Sequence, residues 1–316
     1  MSGGSVWAVF SMFRPSETAL EAVGSVVSQV DGVVVVDDGS GESADGVFER
    51  LVSDRVTVIR RSENRGIAAA LNDGMARARA AGARYVVTFD QDSRVPPGFV
   101  SALLRTHDDA TADGVRVGLV VPEYFAGVRQ QRGEPAAYGD AVDVIQSGML
   151  ISSTLVEELG GLREDYFIDR VDTEYELRVK KHGRRVLAAG GVRMEHALGV
   201  AYRRELFGRP VRIPGIPPEI PLSTPFRYYY RVRNRIVLDR EYFRTAPGRI
   251  VRDTVLDAVH FASALSIARP RRALLRVYRA GIAAAVRGRM GRMPSGLVPI
   301  ASEIRWNAPV VAREER

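Results

Sequence analysis

Strand-like and helix-like segments alternate along the first hundred residues, and this alternation constrains the fold more than any other feature of the sequence. Buried strands are predicted at SVWAVFSMF, GVVVVDDGS, RVTVIRR and ARYVVTFDQDS, and helices at PSETALEAVGSVVSQV, SADGVFERLVS and GIAAALNDGMARARAAG. Strands that are joined in sequence by helices form a parallel sheet with right-handed crossovers. We therefore expect an α/β fold with a mixed, mainly parallel sheet flanked by helices.

The composition narrows the class of protein. The 316 residues are 46% hydrophobic and 26% charged, which is typical of globular proteins rather than disordered or fibrous ones. The absence of cysteine excludes disulfides, thiolate metal sites and cysteine nucleophiles. We expect no secretory signal at MSGGSVWAVFSMF and no membrane crossing, because AVHFASALSIA is about half the necessary length. These features favour a cytoplasmic location.

The charge is unevenly distributed. Residues 220–316 contain 19 Arg and 7 acidic residues, a net charge of about +12, although the whole chain carries only +7. A basic C-terminal segment that follows a mildly acidic N-terminal part indicates an anionic partner. The two parts are joined by RPVRIPGIPPEIPLSTP, which predicts a linker or an extended arm.

Two carboxylates, Asp90 and Asp92, flank Gln91 at the end of a predicted strand. Residues i and i+2 of an extended segment point the same way, so both side chains can reach one ligand. Oxygen ligands of this kind suit Mg²⁺ or Mn²⁺. The alternative is a turn, in which Asp is common.

A second acidic pair, Asp37 and Asp38, ends the strand of four valines. Parallel strands bind ligands beyond their carboxyl ends, so both pairs are expected at one edge of the sheet. Asn64, Arg65 and Gly66 precede a helix, and a helix N-terminus beside Arg favours phosphate. A turn for the acids and a capping role for Asn64 are the structural alternatives.

A third group of acids, Asp169, Asp172, Glu174 and Glu176, surrounds a predicted helix start. The helix dipole favours acids there, and Glu176 is spaced to pair with Lys180 at i+4. The alternative is that one acid acts as a general base. His196 follows the next predicted strand, where it is either structural or a metal ligand.

Taken in order, these motifs resemble glycosyltransferase family 2, which comprises inverting nucleotide-sugar glycosyltransferases with a GT-A fold. The resemblance runs from about residue 6 to 200 and includes VVVVDDGS, NRGIAAALNDG, FDQDS, SGMLIS, VDTEYELR and HALG. FIDRVDTEYELR and PFRYYYRVRNRIVL are closer still to the rhamnosyltransferase subgroup. The resemblance implies a Rossmann-like nucleotide-sugar-binding half at 1–100, an acceptor-binding half at 101–215 and a basic helical extension at 216–316.

The resemblance also implies roles for single residues. Asp172 would be the catalytic base, and Asp90, Asp92 and His196 would bind a divalent metal, Mg²⁺ or Mn²⁺. The substrate-binding residues would be Asp37, Asp38, Asn64, Arg65, Gly66, Asp90, Gln91, Ser147, Gly148 and Glu174. Two positions depart from the family pattern: Val171 stands where Glu often precedes the base, and Phe13-Arg14 stands in place of Tyr-Asn.

The implied reaction is a metal-assisted single displacement. L-rhamnose would pass from dTDP-L-rhamnose to a cell-envelope or polysaccharide acceptor, lipid-linked or free, with one inversion. Two alternatives remain open: another donor, such as a UDP-hexose or UDP-galactofuranose, and a noncatalytic module that binds nucleotide sugar or glycan.

The basic C-terminal segment has several interpretations. FRYYYRVRNRIVLDREYFR predicts a helix that either packs its aromatic side on the catalytic domain or lies on an anionic membrane, here the inner face of the cell membrane. The helical segments after it are compatible with packing on the catalytic domain, with membrane binding or with a homo-oligomer interface. Nucleic acid is not an expected partner, because no recognisable nucleic-acid module accompanies the segment.

Overall fold

The computed structural model of the chain describes residues 5–134, 136–195, 201–203, 205–206, 209–210 and 218–311. It divides into two compact units. The first comprises Met1–Phe167 and Val171–Ala197, and the second comprises Ile168–Arg170 and Leu198–Arg316. The chain thus leaves the first unit at Phe167 for only three residues before it returns at Val171.

The first unit contains nine strands and six α-helices among its described residues. The strands are β1 (Val6–Met12), β2 (Gly32–Asp37), β3 (Val56–Arg60), β4 (Tyr85–Asp90), β5 (Val117–Phe125), β6 (Val128–Arg129), β7 (Tyr138–Asp140), β8 (Met149–Ser152) and β9 (Arg185–Met194). The helices are α1 (Thr18–Val27), α2 (Asp45–Leu51), α3 (Ile67–Ala80), α4 (Phe99–Ala112), α5 (Ser153–Leu159) and α6 (Val171–Lys181). Short 3₁₀ helices lie at Glu42–Ala44 and Glu164–Tyr166.

The nine strands form one mixed sheet. Their order is β3-β2-β1-β4-β8-β5-β9-β7, with β6 paired to β5. The strands β3, β2, β1 and β4 are parallel, as the alternation of strands and helices predicts. The strand β8 is antiparallel to both of its neighbours, β4 and β5. The predicted fold class is confirmed.

The sequence of β2 explains why it lies inside this sheet. All six of its residues are buried, and four successive valines suit a strand that is covered on both faces. The helix α3 approaches β1 closely at Gly74, where an added Cβ would lie 2.3 Å from Val9 Cγ1. Only glycine permits this distance between helix and strand.

The second unit is mainly helical among its described residues. Its helices are α7 (Arg227–Tyr242), α8 (Pro247–Ile267), α9 (Arg271–Val286) and α10 (Val298–Ser302), with a 3₁₀ helix at Ser295–Leu297. Its short strands are β10 (Ala201–Arg203), β11 (Glu205–Leu206), β12 (Arg209–Pro210), β13 (Glu219–Pro221), β14 (Ala268–Arg269), β15 (Arg305–Trp306) and β16 (Val310–Val311).

The aromatic residues of α7 are buried inside the second unit. Tyr228 stacks on His260 of α8 with ring centroids 5.7 Å apart, and its ring lies 5.4 Å from that of Trp306. Burial raises the pKa of Tyr228 to about 12. The aromatic side of α7 therefore helps to form the core of this unit.

Several expectations about organisation stay predictions. The boundary at residue 100 lies within the first unit, and residues 211–217 of the proline-rich stretch lie outside the described residues. Among the helices that the structure describes, none combines the length and apolar character needed to cross a membrane.

Candidate active site

The acidic ends of β2 and β4 meet at one edge of the sheet, because β1 lies between these strands. Met12 of β1 pairs with Asp37 on one side, and Ser11 pairs with Asp90 on the other. The register thus places the two acidic pairs on either side of one strand. This is the edge at which parallel α/β sheets bind ligands.

Asp37 is fully buried and bonded to neighbouring protein groups. Its Oδ2 accepts a hydrogen bond of 2.6 Å from Arg60 Nε. Its Oδ1 accepts bonds from Ser40, at 2.9 Å from the backbone N and 2.5 Å from Oγ. These contacts fix the turn that follows β2.

Asp38 holds the loop that precedes α3. Its two carboxylate oxygens accept hydrogen bonds from the backbone N–H groups of Arg65 at 2.9 Å and Gly66 at 2.8 Å. Arg61 Nη1 lies 3.0 Å from Oδ1. Burial raises the pKa of Asp38, although the bonds from Arg65, Gly66 and Arg61 favour the charged form and oppose this shift.

The loop itself presents Asn64 and Arg65. Asn64 Oδ1 is a buried acceptor with no hydrogen-bond partner among the described residues. The Arg65 side chain is about half exposed and contacts Glu164 at 3.2 Å. Gly66 has φ +95°, and an added Cβ would lie 2.3 Å from Phe167 O, so the loop requires glycine here.

The acids at the end of β4 are less buried than those of β2. Asp90, Gln91 and Asp92 are all partly exposed. Gln91 Oε1 accepts a hydrogen bond of 2.9 Å from the backbone N of Phe13, which joins the ends of β1 and β4. Gln146 Nε2 donates a short hydrogen bond to Asp90 Oδ1.

The segment before β8 supports the end of β4. Ser147 Oγ accepts a hydrogen bond of 3.0 Å from Asp90 N, and Gly148 N donates one of 2.7 Å to Thr88 O. Gln146 is buried, and its contact with Asp90 makes it a candidate site residue that was not predicted from the sequence. Its position directly before the predicted Ser147-Gly148 pair is the one signal that could have indicated it.

The acids of α6 have different surroundings. Asp172 is partly exposed, and its Oδ1 accepts a hydrogen bond of 2.7 Å from Thr173 N. Glu174 is buried and forms an ion pair of 2.7 Å with Arg178. Glu176 forms the predicted i+4 pair with Lys180 at 2.5 Å. The predicted roles of Asp172 and Glu174 stay predictions.

The donor set at the end of β4 suits a divalent metal. Asp90 and Asp92 would supply carboxylate oxygens, and Mg²⁺ or Mn²⁺ completes sites of this kind with water and phosphate oxygens. The predicted third ligand, His196, lies outside the described residues. Among the residues that are described, no three His, Asp or Glu side chains form a cluster able to hold a metal.

Solved structures resemble this fold. A crystal structure of S. aureus TarS matches with a TM-score of 0.52 and 12% identity, over 76% of this chain and 40% of that one. A crystal structure of GalNAc-T7 with UDP, GalNAc and Mn²⁺ matches with a TM-score of 0.56 and 13% identity, over 79% and 50%. This chain therefore spans half or less of those proteins. The fold is that of the GT-A glycosyltransferases.

The sequence identifies the family. The model of Glycosyl transferase family 2 matches residues 9–209, and the chain belongs to this family. It is 29% identical over 252 residues to the dTDP-rhamnosyl transferase RfbF of Shigella flexneri, which corresponds to 75% of this chain and 80% of that protein. The predicted family and the similarity to its rhamnosyltransferases are both confirmed, and the chain is a glycosyltransferase.

Proposed function

We propose that the chain transfers L-rhamnose from dTDP-L-rhamnose to a hydroxyl group of a cell-envelope or polysaccharide acceptor, free or lipid-linked. The observation that carries this proposal is the similarity to a dTDP-rhamnosyl transferase over three quarters of the chain. The similarity extends well beyond the length of any single motif. The reaction is one displacement with inversion at the anomeric carbon.

Asp90 and Asp92 would hold Mg²⁺ or Mn²⁺ at the end of β4, with His196 as the proposed third ligand. The metal, when bound, supplies positive charge that stabilises the departing nucleoside diphosphate. Two features of the chain support this role for β4. Its acids are partly exposed, and Gln146 and Ser147 hold Asp90 from the side of β8.

The donor would be bound by the end of β2 and the loop that follows β3. The half-exposed guanidinium of Arg65 is suited to the diphosphate, and Asn64 Oδ1 is an acceptor without a protein partner among the described residues. Asp37 and Asp38 are proposed to contact the nucleoside or to shape the loop around it. Gln91, Ser147, Gly148 and Glu174 remain further candidates for substrate contact.

Asp172 would be the general base. Its carboxylate lies in the first turn of α6, where the helix dipole stabilises its charged form, and Thr173 N orients one of its oxygens. A charged carboxylate can remove the proton from the acceptor hydroxyl as that oxygen attacks the sugar. No covalent intermediate between sugar and protein is then required.

The test replaces Asp172 by Asn and measures transfer. We expect turnover to fall by about 10²–10⁴-fold, the usual contribution of a general base, while donor binding is retained. Asp165→Asn is the matched control, because this acid is also partly exposed and forms an ion pair with Arg163, two residues before it in sequence. Near-normal turnover in Asp172→Asn would refute the role of Asp172.

A panel of donors distinguishes the alternatives for the wild-type chain. We expect metal-dependent release of nucleoside diphosphate from dTDP-L-rhamnose in the presence of acceptor. Faster release from a UDP-hexose or UDP-galactofuranose would identify a different donor. Binding without release from any donor would support a noncatalytic module.

We also propose that α9 rests on an anionic membrane surface. Its exposed face includes Leu275, Ile282 and Val286, and residues 269–302 contain eight Arg and no acid. Exposed apolar groups surrounded by Arg suit the boundary between lipid headgroups and acyl chains.

Sedimentation with vesicles tests this surface. We expect binding to vesicles that contain anionic lipid, and weaker binding for Arg276→Glu combined with Arg279→Glu. Arg105→Glu, an exposed change on α4, is the control for charge alone. Equal partitioning of all three proteins would refute the proposal. A dimer that forms without lipid would instead support a homo-oligomer through these helices.

A further inference from the structure

The segment before α6 has an unusual backbone. Phe167, Asp169 and Arg170 all have positive φ, at +66°, +64° and +66°. Non-glycine residues rarely adopt this conformation, and runs of it persist only where surrounding contacts enforce it. Asp172 follows two residues after Arg170, so the direction in which α6 begins depends on this entry segment, Ile168–Arg170.

The entry segment belongs to the second unit of the structure. Asn234 of α7 is fully buried, and its Nδ2 donates hydrogen bonds to two successive carbonyls, Ile168 O at 2.9 Å and Asp169 O at 2.8 Å. Both hydrogens of one amide group are thus used on the backbone. A side chain that bonds two adjacent carbonyls fixes the peptide between them.

The side chains of the entry segment are held as well. Asp169 forms a two-point ion pair with Arg227 of α7, at 2.7 and 3.1 Å. Arg170 Nη2 lies 2.7 and 2.5 Å from the two oxygens of Asp257 in α8. Arg235 Nε also donates to Asp257, at 2.8 Å. Every residue of the segment is therefore bonded to α7 or α8.

The free-energy cost of assembling these polar contacts around the entry segment indicates that they have a function. Charged pairs and buried amides are costly to bring together unless their geometry is well satisfied. Burial alone would raise the pKa of Asp257, but Arg170 and Arg235 together outweigh it and keep this pKa below its ordinary value. The chain thus places a network of amide and charged hydrogen bonds on Ile168–Arg170, the segment that leads into α6.

We infer that Asn234 is a positioning residue for the transfer reaction: by fixing the entry segment, it sets the position of the Asp172 carboxylate. The inference rests on the proposed role of Asp172 as the base. Asn234 contacts neither donor nor acceptor in this account. It acts through the peptide backbone and the first turn of α6.

The test measures the effect of Asn234→Ala on kcat in the wild-type chain and in the Asp172→Asn variant. A general base that is misplaced by about 1 Å costs up to about 10²-fold in rate. We therefore expect Asn234→Ala to lower kcat by about 10–100-fold, with the donor Kd changed less than about twofold. When Asp172 is already Asn, the same change should cause no further loss, because there is no base left to position.

Tyr230→Phe is the matched control. Tyr230 lies on the same helix, is buried and accepts a hydrogen bond of 2.8 Å from Met293 N. The Tyr230→Phe variant should have lower thermal stability, but its kcat should stay within about twofold of the wild-type value. An equal loss of kcat in both variants would show that Asn234 acts only through stability, and would overturn the inference.

A second variant covers the case in which Asn234→Ala does not fold. Arg227→Gln removes the ion pair with Asp169 at a partly exposed position, and it should lower kcat with the same dependence on Asp172. Full kcat in this variant, or equal losses in both backgrounds, would overturn the inference.

Hydrogen exchange separates this inference from the proposed function. Faster amide exchange at residues 168–173 in Asn234→Ala is expected whatever group is the base, and unchanged exchange would overturn the positioning role directly. If exchange increases but Asp172→Asn keeps full turnover, the assignment of the base is what has failed.

Discussion

The two acidic strand ends of the sheet have the same sequence signal but different surroundings. Asp37 and Asp38 at the end of β2 are buried and bonded to Ser40, Arg60, Arg61 and the loop before α3. Asp90 and Asp92 at the end of β4 are partly exposed. The acids of β2 are bonded to neighbouring protein groups, whereas the partly exposed acids of β4 are the ones that we propose bind a ligand. The sequence places both pairs at one edge of the sheet, but it does not reveal that one pair is buried and the other partly exposed.

The largest effect on stability is expected at the end of β2. Asp38→Asn would point an amide NH₂ at one of the N–H groups of Arg65 and Gly66, which leaves a buried donor unsatisfied. We expect the free energy of unfolding to fall by roughly 2–3 kcal/mol. Denaturation by urea measures this directly.

The comparison with β4 provides the control for this prediction. Asp92→Asn should change the free energy of unfolding by less than about 1 kcal/mol, because Asp92 is partly exposed. A larger loss for Asp92→Asn than for Asp38→Asn would contradict the distinction between the two strand ends.

A smaller effect is expected from a third buried acid, Asp257 of α8. Its pKa in the folded chain is held below the ordinary value near 4 by Arg170 and Arg235, against the opposing effect of burial. Its stabilising contribution is therefore complete above about pH 4 and is lost as the pH falls below that value. Asp257→Asn removes this dependence.

The free energy of unfolding, measured between about pH 5 and pH 3, tests the direction of this pH dependence. We expect the stability of the wild-type chain to fall more steeply with decreasing pH than that of Asp257→Asn. Asp38 has the opposite shift, because burial raises its pKa, so Asp38→Asn should not flatten the curve in the same way. Parallel curves for wild type and Asp257→Asn would rule out the Arg-stabilised carboxylate.

Much of the sheet could be predicted because its signal is local. Four valines followed by two acids indicate a buried parallel strand that ends at a binding edge, and β2 ends at Asp37 as expected. The helix closed by Gly82 and the strand that leads into α5 were equally clear from glycine positions and apolar runs. In each case neighbouring residues alone determine the element.

The contacts that hold the site could not be predicted in the same way. Gln146 reaches Asp90 across 56 positions of the chain, and Asn234 reaches Ile168 across 66. Neither residue type has a preferred role that its neighbours in sequence reveal. Their positions depend on how β8 inserts beside β4 and on how α7 approaches the entry segment, and both are consequences of tertiary structure.

The central claim is that the partly exposed acids of β4 bind the metal that the reaction uses. Titration of Mn²⁺ into the chain in the presence of dTDP, followed by calorimetry, tests it most directly. We predict that Asp92→Asn weakens Mn²⁺ binding by at least about tenfold, whereas Asp165→Asn binds as the wild type does. Wild-type affinity for Mn²⁺ in Asp92→Asn would contradict the account.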